Sequence, residues 1–165
     1  MTKGRRRPSP RRLGVVACSL LLLAAAGCSD TLSVDAPRLS GADADACRAL
    51  VEALPGHVAD QPARAVEAGS GYAAAWGDPA IVLRCGVPRP KGFNAYSGCE
   101  DTNGVGWYIP ESQRTGDVVA ITMTTIGRAQ NVEVRIPAAY VPPANTMVDI
   151  APALKRTIRE TRPCV

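Results

Sequence analysis

The chain has 165 residues, 46% of them hydrophobic and 21% charged, with a formal net charge of +4. That balance excludes a collagen-like, wholly disordered or multi-span membrane chain, and the length suits one domain with short appendages. The charge is uneven: six of the 19 basic residues (Lys3, Arg5, Arg6, Arg7, Arg11, Arg12) crowd the first twelve positions, while from Cys28 onward 13 basic residues face 15 acidic ones, so a nucleic-acid partner is not expected.

Residues 1–27 read as a lipoprotein signal peptide. A basic stretch runs to Arg12 and an apolar run of 14 residues follows from Leu13 to Ala26. That run is shorter than the roughly 20 residues a membrane-spanning helix needs. Ala25-Ala26-Gly27-Cys28 then resembles a lipobox, with Ala25 where Leu is usual. Its small residues suit an extended backbone in a peptidase cleft, and Cys28 supplies the thiol for a lipid donor. The expectation is export, cleavage before Cys28, and anchoring at the outer face of the cytoplasmic membrane. Two acyl chains suffice for stable anchoring. An ordinary secreted protein cut after Ala26 or Gly27 is the alternative. The pair Arg11-Arg12 is an incomplete twin-arginine signal, so the export route stays open.

Residues 28–41 read as a tether. The stretch from Ser29 to Ser40 is polar, contains Pro37 and reaches roughly 40 Å if fully extended. The rest, 42–165, reads as one domain. A helix is predicted over Ala42–Leu54, with Cys47, Leu50, Val51 and Leu54 on one face and Pro55-Gly56 at its end. Ser40 and Asp43 resemble a capping box. Ala59 to Glu67 is ambiguous, with at most a short strand near Ala65–Glu67. Gly69-Ser70-Gly71 marks a turn.

Strands follow at Tyr72–Trp76 and Ala80–Val87, the second with Ile81, Leu83 and Cys85 on one face and Val82 and Arg84 on the other. Pro88–Gly104 reads as a long loop with a basic tip. Val105–Ile109 is a strand. Asp117–Ile126 and Asn131–Ile136 form the strongest hairpin signal, turned by Gly127-Arg128-Ala129-Gln130. A last helix is predicted over Met147–Thr161, regular from Pro152 onward, with Asp149 near its cap. Together these predict a two-layer α+β domain: a mostly antiparallel sheet of about four to five strands, with an N-terminal and a C-terminal helix.

Disulfides are expected to staple it. Cys18 lies in the signal and Cys28 takes lipid, leaving Cys47, Cys85, Cys99 and Cys164, an even number outside the cytoplasm. Three pairings are open. The preferred one joins Cys85 to Cys99, closing a turn-rich loop, and Cys47 to Cys164, tying the first helix to the chain end. No C-x-x-C occurs and the single histidine, His57, is remote from every cysteine in sequence, so neither a metal nor a cofactor is expected.

Catalysis has little to stand on. Nucleophilic catalysis needs a base beside the nucleophile; His57 is the lone base candidate, and no G-x-S-x-G surrounds any serine. Glu100-Asp101 is the best carboxylate pair, which makes a wall-modifying hydrolase the alternative reading. A binding surface is the better one. Trp76, Tyr96 and Trp107 with Arg84, Arg89 and Arg128 would meet an anionic or glycan ligand of the cell wall, or another envelope protein.

Several blocks resemble an uncharacterised actinobacterial envelope family, domain of unknown function 3515. The specific one is Trp76-Gly77-Asp78-Pro79-Ala80-Ile81-Val82-Leu83-Arg84-Cys85-Gly86-Val87-Pro88. Cys47-Arg48-Ala49-Leu50-Val51, Asn103-Gly104-Val105, Thr124-Thr125-Ile126-Gly127-Arg128 and Ile150-Ala151-Pro152-Ala153 also fit. Sixteen Arg against three Lys suits a high-GC genome. The resemblance implies a secreted or lipid-anchored protein and supplies no activity. The expected role is therefore a non-enzymatic binding or accessory module of the cell envelope.

Overall fold

The structure is a computed structural model that describes residues 1–2, 31–67, 71–115 and 119–164. The signal segment from residue 3, Cys18, Cys28, the turn residues Gly69-Ser70 and Asp117 lie outside the described residues.

Helix α1 spans Gly41–Ala53 and buries Ala44, Cys47 and Leu50, close to the predicted face. It starts without the expected capping box: Ser40 makes no side-chain cap, and the Asp43 carboxylate accepts a hydrogen bond from Gln130 Nε2 at 2.6 Å. A capping box uses Glu or Gln, one methylene longer. Beyond α1, eight strands form one antiparallel sheet: β1 (His57–Val58), β2 (Gln61–Arg64), β3 (Ala73–Trp76), β4 (Ile81–Cys85), β5 (Glu100–Thr102), β6 (Val105–Tyr108), β7 (Ile121–Ile126) and β8 (Val132–Ile136). Their order is β1-β2-β3-β4-β8-β7-β6-β5. The sheet thus has eight strands, not four to five. The extra ones are short and lie where the sequence lacks alternation: Gln61-Pro62-Ala63-Arg64 carries no apolar face of its own.

The β1–β2 turn puts Ala59 and Asp60 at φ of 48° and 61°. That backbone is unfavourable for residues with a Cβ. It is held from above by Asp149, whose Oδ2 accepts the Ala59 N–H at 2.7 Å. Asp149 therefore sits within helix α2 (Ala144–Thr157) and ties it to the sheet, rather than capping it. The helix begins earlier than predicted and passes through Pro152. Proline removes the donor for the carbonyl four residues back. Here that residue is Val148, which is 45% exposed, so water can take the orphan carbonyl.

Register decides the two faces. Leu83 pairs with Val134 and Val134 with Met123, and Trp107 pairs with Thr125, so these point to one side. They form the core with Cys47 and Leu50 of α1 and Met147, Ile150 and Leu154 of α2. The other face carries Val82, Arg84, Glu133, Arg135 and Thr122. There Arg84 Nη2 meets Glu133 Oε1 at 2.6 Å. The segment expected as a tether touches this domain repeatedly. Leu32 N–H donates to Ala65 O at 2.9 Å, and Leu32 O accepts from Glu67 N at 3.0 Å. Asp35 O accepts from Arg84 Nη1 at 3.1 Å, and Leu39 packs over Gly86.

The cysteine pairing differs from the preferred one. Cys47 bonds Cys85 and Cys99 bonds Cys164, with Cα separations of 5.5 and 5.9 Å. The reason is facial. Cys85 shares the core face with Ile81 and Leu83, under α1. The loop after β4 instead folds over the opposite face, where Phe93 meets Tyr108 edge-on at 5.1 Å. Cys99 therefore ends on the far side of the sheet from Cys85. It reaches the C-terminal tail across Gly106, where a Cβ would lie 2.8 Å from Cys164 Cβ and 3.1 Å from Cys99 Sγ.

Candidate functional site

After α2 the chain does not continue as helix to Thr161. Ile158 turns extended and the tail pairs with the β7–β8 turn. Ala129 N–H donates to Arg159 O at 2.9 Å, and Gly127 O accepts from Thr161 N at 2.7 Å and Arg162 N at 3.0 Å. Gly127 has φ of 73°, and a Cβ there would collide with the Arg162 carbonyl. Only glycine fits. The tail thereby becomes one wall of a cleft of about 550 Å³, within the usual range of ligand pockets.

The facing wall is the loop after β4. Asn94 organises it: its backbone N–H donates to Ser97 Oγ at 2.9 Å, and its Oδ1 accepts from Tyr96 N at 2.8 Å. The Arg89 guanidinium lies 4.7 Å from the centre of the Phe93 ring, a cation–π contact that fixes its position. Cys99–Cys164 joins the two walls. At the base sits Arg128, with only 4% of its side chain exposed. Its Nη1 donates to Ile158 O at 2.8 Å and its Nη2 to Gly104 O at 2.7 Å. Glu160 Oε2 lies 3.9 Å away, and Arg128 Nε has no partner among the described residues. Asn131 lines the cleft and donates through Nδ2 to Val87 O at 3.2 Å. A smaller adjoining recess of about 110 Å³ contains Asp101 and Glu160.

Of the six residues expected to share a binding surface, only Arg89 and Arg128 meet at one cleft. Trp76 is 1% exposed, with its Nε1 donating to Pro55 O at 3.0 Å, and Trp107 is fully buried. Both are core residues, because the β3–β4 and β6–β7 registers turn them toward the helices. Arg128 is a buried tie between strands and tail rather than a surface cation. Arg84 is paired with Glu133 on the open sheet face, beside a second groove of about 550 Å³ shared with Leu32–Asp35. Tyr96 is 98% exposed at the loop tip. Arg89 keeps its expected place and lines the cleft, with the buried Arg128 at its base. Neither Phe93 nor Asn131 was expected at a site. Their signal lay in the cysteines: pairing Cys99 with Cys164 brings the loop and the tail together.

Glu100 and Asp101 are successive residues of β5, so their side chains leave opposite faces of the sheet. Asp101 Oδ1 accepts the Gly104 N–H at 3.1 Å. The two carboxylates do not face each other across a cleft. His57 is exposed on β1.

A family model described as protein of unknown function (DUF3515) matches residues 12–163. No curated protein and no solved structure matches the chain.

Proposed function

We propose that this chain, which belongs to the DUF3515 family of proteins of unknown function, acts as a lipid-anchored, non-enzymatic binding module of the cell envelope. The observation that carries the reading is the stapled cleft, a preformed concavity with basic side chains on both walls. Preformed pockets with a few convergent polar groups are where ligands seat. The lipobox-like Ala25-Ala26-Gly27-Cys28 and the two disulfides support an address outside the cytoplasm. In this reading Cys28 holds the domain at the outer face of the cytoplasmic membrane. Three residues separate Cys28 from Leu32, which is already paired with Val66, so the domain rides within roughly 14 Å of the lipid.

The anchoring half of the reading is tested by metabolic lipid labelling of the full chain against Cys28→Ala. Wild-type chain should carry label and sediment with membranes. The variant should lose the label and retain its signal segment. A wild-type chain without label, moving identically to Cys28→Ala on a gel, contradicts it.

A further inference from the structure

We infer that the stapled cleft binds a phosphate group, an inference that rests on the binding-module reading and names its ligand chemistry. The lining supplies cations without acids. Arg89 stands on the loop wall, Arg162 on the tail wall and Arg128 at the base, and no Asp or Glu lines the main cleft. Neither Arg89 nor Arg162 has an acidic partner among the described residues. Arg128 has one carboxylate, at 3.9 Å, and an unpartnered Nε at a side chain 4% exposed. Three arginines thus line one concavity, with Asp101 and Glu160 confined to the adjoining recess that Arg128 and Arg162 also line. Such a cluster is self-repelling until an anion enters.

Phosphate suits it better than carboxylate. One guanidinium fork satisfies a carboxylate in a single plane. A phosphate presents oxygens around a tetrahedral centre and takes donors from two directions at once. The walls here come from separate segments, which is that second arrangement. They are also held in place. Arg162 is fixed through its backbone N–H to Gly127 O, and Arg89 by the Phe93 ring. About 550 Å³ is more than inorganic phosphate fills, so the cleft has room for the organic part of a phosphate ester beside Phe93 and Ala95.

The test uses full-length Cys28→Ala chain, whose folding is checked by its melting curve, and titrates it with inorganic phosphate and with glycerol 3-phosphate at constant ionic strength. Arg89→Gln and Arg162→Gln should each weaken binding about tenfold. Arg162→Lys, which keeps the charge but not the fork, should fall between. Arg135→Gln, on the open sheet face, should bind as wild type. A third arm floats the protein with vesicles of phosphatidylglycerol or of a neutral glycolipid. Flotation with the former that needs both arginines identifies a lipid headgroup as the source. Binding of the soluble esters alone identifies a free one.

No binding of any phosphate compound overturns the inference, and so does binding that survives both substitutions. Crosslinking from native membranes separates this failure from that of the module itself. If phosphate never binds but Arg89→Gln/Arg162→Gln still loses a crosslinked partner, the module stands and only its ligand is wrong. If the double variant keeps every partner as well, both fall.

Discussion

Arg128 brings a full positive charge to the end of the sheet, where it serves three pieces of chain at once. It donates to the carbonyls of Ile158 and Gly104 and approaches Glu160. Removing it leaves two acceptors unsatisfied, so Arg128→Met should cost about 2–4 kcal/mol in urea unfolding. Gly127 meets a harder limit. Its positive φ and the Arg162 carbonyl beside it leave no space for a methyl group. Gly127→Ala should detach the tail, destabilise by about 2 kcal/mol or more, and speed hydrogen exchange at Thr161 and Arg162 before anywhere else. Arg84 and Glu133 are different, because both are partly exposed. A double-mutant cycle there should return about 0.5–1 kcal/mol. A coupling near zero would show the pair to be incidental.

At the scale of elements, what the sequence disclosed follows from whether an element carries its own pattern. β7 and β8 alternate, so the hairpin and its inward Met123, Val132 and Val134 could be read directly. β4 could be read for the same reason. β1 and β2 could not: they exist because Asp149 of α2 clamps their turn and because Arg64 and Ala63 find partners on β3. Pro152 suggested a boundary, yet α2 runs through it, and Val148, whose carbonyl it frees, is an exposed residue. The cleft was only half legible, since Arg89 was visible as a loop cation while Arg162 lay just past the predicted end of the last helix. Its tail position depends on a pairing with Gly127 that no local signal announces.

The disulfides belong to this scale too. Cys47–Cys85 lies wholly in the core between α1 and β4, whereas Cys99–Cys164 lies on the opposite face and is partly exposed. Their sequence separations of 38 and 65 residues give each about 4 kcal/mol in the chain-entropy picture. Limited reduction under native conditions should therefore open Cys99–Cys164 first, on grounds of access. Alkylation followed by peptide mapping should find Cys99 and Cys164 modified while Cys47 and Cys85 remain joined. Modification of Cys47 first would mean the core bridge is the accessible one.

Over the whole molecule, the formal charge of +4 divides into a basic leader and a −2 remainder. Bulk charge therefore does not draw the later part to anions; in the proposed reading a local cluster of arginines would do so. The same division governs placement. In the proposed reading the leader would address the chain and Cys28 would hold it, while the segment from Leu32 to Leu39 docks on the sheet instead of hanging free. On that proposal a short connection would set the domain's position at the membrane, and one cleft would take its ligand.

The central claim, a lipid-anchored and disulfide-stapled module, is tested most directly by the intact mass of the protein extracted from membranes without reductant. The expected chain begins at Cys28, carries a diacylglyceryl group, and is lighter by two hydrogens for each of the two bridges. A chain that begins at Met1, or one cut nearby without a lipid mass, would contradict it.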